Sequence, residues 1–153
     1  MVKRRSDGRF DIHLGDNERE VLALLLADLS SQLDDGPDHP NLLRLRPPAY
    51  LDDDEADAGY QLLAGEELRT SRQASIALVI ESLTRTEATE EELWAWMQAL
   101  NAVRLVVGTR LDITDDDHGP FGRPGQPPEQ DALWAVYDFT TFVQHEVVEA
   151  LDE

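Results

Sequence analysis

Cysteine is absent from this chain of 153 residues. Disulfides, thiolate metal sites and thiol redox switches are thereby excluded. Basic charge is scarce: 13 Lys and Arg face 32 Asp and Glu, for a formal net charge of -19. Phosphate backbones repel such a surface, so autonomous nucleic-acid binding is not expected. Only the first fourteen residues lean the other way, with Lys3, Arg4, Arg5 and Arg9 against Asp7 and Asp11. Long apolar runs are also missing; none approaches the roughly 18 residues of a membrane span. Ser6-Asp7-Gly8-Arg9, not an apolar stretch, follows the basic cluster, so no secretory leader is expected and the reading is cytoplasmic.

What is present is a globular composition, 41% hydrophobic and 29% charged, at a length that suits one domain over residues 1–153. Phe10, Ile12 and Leu14 alternate with Asp11 and His13, the period of a half-buried strand. Asp7-Gly8 is a tight-turn pair, so residues 2–5 are expected as the partner strand of a hairpin within 1–14. From Asp16, a candidate N-cap, Leu22, Leu25, Leu26, Leu29 and Leu33 recur at helical spacing and predict a helix over 17–34. Asp35-Gly36-Pro37 ends it. Pro40 to Leu45 is expected as a short helical turn.

A long helix is predicted from Asp53 to Leu83, with Tyr60, Leu63 and Leu68 marking its first half and Ile76, Val79 and Leu83 its second. Gly59 and Gly65 lie inside it and are read as allowing close packing. Thr89-Glu90-Glu91-Glu92 has the form of a capping box and opens a helix that runs to Leu111. Residues 112–129 hold four of the eight prolines and three of the nine glycines behind Asp112, Asp115, Asp116 and Asp117, and read as an acidic loop. A last helix is predicted over 130–151. The expected fold is mostly α: a bundle of about four main helices with a small N-terminal β-hairpin.

No catalytic signature emerges, and no cofactor or metal is expected. Asp52 to Asp57 is acidic where a helix begins, which suits the helix dipole better than a calcium loop. Asp112 to His118 lacks the ligand order of an EF-hand and reads as solvated. His13, His39, His118 and His145 form no ligand pair. Trp96 belongs to a core face, whereas Trp94 projects to the side. Arg104 shares the apolar stripe of Leu93, Met97, Leu100, Val107 and Leu111. A buried guanidinium needs a partner, and Glu66 or Glu67 is expected to pair with it. The functional alternative is a partner or anion site built from Arg69, Arg72, Arg104 and Arg110.

The stretch Ala99 to Leu111, with its Asn-x-x-Arg-Leu-x-x-Gly-Thr-Arg-Leu pattern, resembles a known motif. So do Glu66-Glu67-Leu68-Arg69, Pro48 to Ala56, and Leu14-Gly15-Asp16-Asn17-Glu18 ahead of a leucine-rich helix. Together they are similar to an uncharacterised actinobacterial family, mostly helical, often encoded beside the adaptor ClpS. The resemblance covers about residues 9–151 and its matching motif residues are Asn101, Arg104, Gly108, Thr109 and Arg110. Some members are labelled oxidative-stress transcriptional regulators, with a cysteine pair and a sigma-factor partner. Lacking cysteine, this chain departs from them, and Asp112 stands where the family often has glycine.

These readings lead to a non-enzymatic regulatory or adaptor domain that contacts a protein with a basic surface, such as a sigma factor or RNA polymerase. The candidate contact residues are Arg69, Arg72, Asn101, Arg104, Thr109 and Arg110. The alternatives are a small-molecule or anion sensor using Arg104 and Arg110, a Clp-linked adaptor, and a metal-dependent enzyme. Homodimerisation through an apolar strip is a further expectation left open.

Overall fold

A computed structural model describes residues 1–35, 52–111 and 130–152, with the backbone alone for 61–63. Its elements are β1 (Val2–Arg4), β2 (Phe10–Ile12), α1 (Asp16–Asp34), α2 (Asp54–Ser82), β3 (Glu87–Ala88), α3 (Glu90–Leu111) and α4 (Asp131–Leu151). The mostly α fold and the hairpin are as the sequence indicates. The short turn at 40–45 and the acidic loop at 112–129 lie outside the described residues.

The hairpin pairs Val2 with Ile12 and Arg4 with Phe10, and Gly8 turns it at φ 84°, a conformation glycine adopts without strain. A third strand, not anticipated, extends it: β3 pairs antiparallel with β2, Phe10 opposite Ala88. Two residues are too short to show a period, so β3 leaves no signal in sequence. The small sheet buries Phe10, Ile12 and Ala88 against one end of the bundle.

Gly15, rather than Asp16, caps α1, and its N–H donates to the Glu18 carboxylate at 3.0 Å. Asp53 caps α2, accepting from the Ala56 N–H at 3.0 Å. The capping box of α3 forms as read: Thr89 N–H donates to Glu92 and the Glu92 N–H to Thr89 Oγ1, both at 3.1 Å. Helix α3 is central, packing on α2 and α4 and to a lesser degree on α1. Trp96, Leu93 and Leu100 are fully buried there, in one core with Ile76 and Val79 of α2, Leu22 and Leu26 of α1 and Val143 and Val147 of α4. No described helix is long and apolar enough to cross a membrane.

Helices α1 and α2 run antiparallel, joined by a polar row. Ser30 Oγ donates to Gln73 Oε1 at 2.7 Å, Gln73 Nε2 donates to Asp34 at 3.0 Å, and Arg69 lies 3.9 Å from Asp34. Since Asp34 ends α1, the turns of α2 before about residue 66 extend beyond it. Tyr60 lies in that extension and is 41% exposed; Leu68, alongside the end of α1, is also 41% exposed.

One expectation about α2 is corrected. The helix is continuous through Gly59 and Gly65, but a Cβ at either would meet nothing within 4 Å. Among the described residues the glycines therefore serve no close packing. Gly65→Ala is expected to raise stability by up to about 1 kcal/mol, through helix propensity and a less flexible unfolded chain. Urea unfolding followed by circular dichroism reads this directly; a loss of stability would mean that Gly65 has a packing role after all.

Glu92 does more than cap. It is buried, and Arg85 donates to it through both terminal nitrogens, with Nη1 at 3.3 Å. Burial acts to raise its pKa, but the hydrogen bonds from Arg85 and Thr89 outweigh burial and hold the carboxyl below the usual carboxylate value. A depressed folded pKa contributes stability above the unfolded pKa, and that contribution is lost as pH falls through the folded value. Glu92→Gln keeps the reach of the cap and removes the charge. It is expected to cost about 1–2 kcal/mol at pH 7, with the gap from the parent closing below about pH 4. Denaturant midpoints across pH 3–7 test the sign.

Candidate protein-binding site

Most arginines turn out to be engaged within the fold. Arg5 reaches Asp7 at 3.0 Å and Glu87 at 2.5 Å, and Arg9 reaches Glu87 at 2.9 Å. Arg4 donates to the Leu151 carbonyl and lies 4.8 Å from the Phe10 ring centroid. Arg19, from the first turn of α1, donates to four backbone carbonyls: Leu14 and Ile12 at 3.2 Å, Leu83 at 2.8 Å and Arg85 at 2.7 Å. Sequence reasoning missed Arg19, since nothing local distinguishes it from a solvated helix arginine.

Arg104 is half-buried, as the stripe implied, but its partners are not Glu66 or Glu67. Its Nε donates to Thr141 Oγ1 at 3.0 Å, Nη1 to Gln144 Oε1 at 2.5 Å and Nη2 to Tyr137 Oη at 3.3 Å. The guanidinium also lies 5.1 Å from the Tyr137 ring centroid. All of these groups belong to α4. The side of α3 that carries Arg104 faces α4, which leaves the α2 glutamates on another side of the bundle. Glu66 instead takes Arg69, whose hydrogen bond draws the Glu66 carboxyl below its usual pKa. Charge compensation, which suggested the Glu66 pairing, is replaced by neutral acceptors and a π face.

The remaining candidates do not converge. Asn101 is exposed and the Thr109 hydroxyl donates to its own helix at Leu105 O, 2.9 Å away. Arg72 is half-buried on α2, and burial lowers its pKa from the usual guanidinium value. Arg110 is exposed at the end of α3. It stands on a cleft of about 50 Å³ formed by α1, α3 and α4, to which Arg104 does not contribute. Ligand pockets for small molecules are commonly about 300–1,000 Å³, so this cleft is no anion or metabolite chamber built on both arginines.

The cleft has an apolar floor of Val103, Val106 and Val107, and walls that include Leu25, Leu29, Leu133 and Val136. Asp28 and Arg110 mark its rim. Leu24, one residue from Leu25 on α1, is 65% exposed, and Val21 is 41% exposed. Trp94, which the sequence placed to the side of α3, is 49% exposed. Among the described residues no group of three or more His, Asp and Glu is placed to hold a metal ion. The acidic stretch at 112–118 lies outside those residues.

The fold and its surface define an acidic four-helix domain with a small sheet at one end, its arginines largely engaged internally and an apolar cleft open between its first and last helices. The chain belongs to the family described as "Domain of unknown function (DUF2017)", which matches residues 1–151. It is also similar to curated relatives named "Oxidative stress regulator AosR" from Mycobacterium bovis and Mycobacterium tuberculosis. Each is 32% identical over 129 residues, covering 73% of this chain and 58% of the relative. The chain thus aligns with little more than half the length of those proteins. No solved structure matches it.

Proposed function

We propose that this chain is a non-enzymatic regulatory domain acting by contact with a protein that has a basic surface, a sigma factor or another part of the transcription machinery being the partner class. The observation that carries the reading is the charge of the surface. The chain is at -19, and its arginines at 4, 5, 9, 19, 69, 85 and 104 are bonded within the fold. An acidic surface favours encounter with a basic partner and disfavours nucleic acid. The printed name of the mycobacterial relatives supports a regulatory role. With no cysteine, this chain would regulate by contact and not by thiol chemistry.

The test is capture of partners from native lysate on the tagged chain, with elution by a salt step. A transcription component is expected to elute. Its affinity should fall at least about tenfold between low and high salt, because screening weakens exposed charge pairs. Salt-independent binding would remove the electrostatic basis of the proposal, and recovery of no specific protein would remove the proposal itself. A Clp component in the eluate would assign the chain to the adaptor variant.

A further inference from the structure

Among the described residues, the arginines bonded within the fold meet a carboxylate or the negative end of a helix, with one exception. Arg5, Arg9, Arg69 and Arg85 reach carboxylates. Arg4 and Arg19 reach carbonyls at the C-terminal ends of α4 and α2, where the helix dipole is negative. Arg104 sits within α3, away from its ends, and its partners Tyr137, Thr141 and Gln144 in α4 are all neutral. The Tyr137 ring face adds a partial negative potential and no charge. The acids of α3 are confined to its first turn, at Glu90, Glu91 and Glu92. On α4, Glu146 lies by the Met1 amine and Glu149 by His145. Asp138 is itself engaged, and it is turned about 100° around the helix from Tyr137. Arg104 therefore reaches no carboxylate among the described residues.

A guanidinium carries five N–H groups and no acceptor. Three are spent, which leaves one on each terminal nitrogen of Arg104. Because arginine only donates, Gln144 and Tyr137 meet it with their oxygens, so the Gln144 amide hydrogens and the Tyr137 O–H remain to donate. The Thr141 hydroxyl is already given to the Tyr137 carbonyl. Asn101, exposed one turn earlier on α3, adds a further amide donor. Donors thus surround a half-buried positive charge in a chain of net charge -19.

We infer that Arg104, Tyr137 and Gln144 bind one carboxylate, an Asp or Glu side chain of the partner protein. The inference rests on the reading of the chain as a protein-contact regulator and names a residue that decides how the partner sits. A basic partner is drawn to the acidic surface at many places, and opposite charge alone does not fix its register. At Arg104 the preference is reversed: a cation of the partner is repelled there and an acid is accepted, which is how charge patterns select orientation. One guanidinium among neutral donors suits a monoanion, since a phosphate dianion meets the surrounding negative field with twice the charge. A free carboxylate would face that same field unaided. On a basic partner the carboxylate arrives with the cations that offset it.

The test uses the full chain, isotope-labelled, and two synthetic lysine-rich peptides that differ at one central residue, Glu in one and Gln in the other. Charge alone favours the Gln peptide, which is the more positive. The Glu peptide is nevertheless expected to bind at least about threefold more tightly. It should also shift the Arg104 Nε–H and the Gln144 side-chain amide in a saturable manner, which the Gln peptide should not. Tyr137→Phe keeps the ring and removes one donor, and should reduce the preference. Arg104→Gln should abolish it while the Gln peptide binds as before. Equal or tighter binding of the Gln peptide, shifts that leave Arg104 and Gln144 unmoved, or a preference that survives both substitutions would overturn the inference. Sodium acetate is titrated against sodium chloride at equal ionic strength. Saturation of Arg104 by acetate at concentrations where the Glu peptide binds would overturn the partner side chain in favour of a free carboxylate. The lysate capture answers separately: a salt-sensitive partner that Arg104→Gln and Tyr137→Phe leave bound at full affinity refutes the carboxylate site and keeps the regulatory reading.

Discussion

Trp96→Ala is expected to cost about 3–5 kcal/mol, a large fraction of the stability of a domain this size. Trp96 is fully buried in the middle of the core, and its truncation leaves a cavity that the surrounding helices cannot close. A polar component adds to the loss. The indole Nε1–H donates to Ser82 Oγ at 2.8 Å, and the Ser82 hydroxyl donates to the Val79 carbonyl at 2.8 Å. Both side chains are 0% exposed, so neither finds water as a substitute. Trp96→Phe separates the two contributions, because it keeps most of the volume and removes the donor. Ser82→Ala should cost about 1–3 kcal/mol by leaving the indole N–H unpaired. The pair Trp96→Phe and Ser82→Ala should cost less together than the sum of the single changes, since the second removal orphans nothing new. Equilibrium urea unfolding of the four proteins measures this. Strict additivity would mean that the hydrogen bond contributes nothing.

Arg19→Ala is expected to cost about 2–4 kcal/mol, unusually much for a residue in the first turn of a helix. The guanidinium joins three elements: Ile12 at the end of β2, Leu14 ahead of α1, and Leu83 with Arg85 after α2. The Leu83 carbonyl lies at the C-terminus of α2, where helix carbonyls lack internal partners and a cation is favoured by the dipole. Arg19→Lys should recover less than half of the loss, because an ammonium cannot spread its donors over four acceptors as a planar fork does. Full recovery with lysine would show that charge alone suffices. The sheet should loosen first in Arg19→Ala, seen as faster amide exchange at Ile12 and His13 than in α3.

Periodicity and the capping box of α3 were legible because they are local. Leu22, Leu26, Leu29 and Leu33 repeat along α1 and are all buried, and Thr89 with Glu92 closes the box that its spacing describes. The partners of the arginines were not legible in this way. Arg104 was placed inward by its stripe, correctly, yet whether α2 or α4 receives it depends on the rotation of α3 in the bundle. Arg19 was invisible because its acceptors are backbone carbonyls, which every residue carries. The cleft was invisible because it is the space left between three helices, and Leu25 read as one more position on the apolar face of its helix.

The amino-acid sequence by itself determined the helices, the capping box of α3, the hairpin, the acidity of the surface and the absence of thiol chemistry. These depend on residues within a few positions of one another or on composition alone, so no long-range contact is needed to specify them. Only the tertiary structure decided that Arg104 bonds α4, that Arg19 joins the sheet to the end of α2, that β3 completes the sheet, and that α1 and α4 leave an aliphatic cleft between them. Each of these is a meeting of groups distant in the chain, set by how helix faces rotate and pack against one another, and side-chain spacing along one helix carries no record of that rotation.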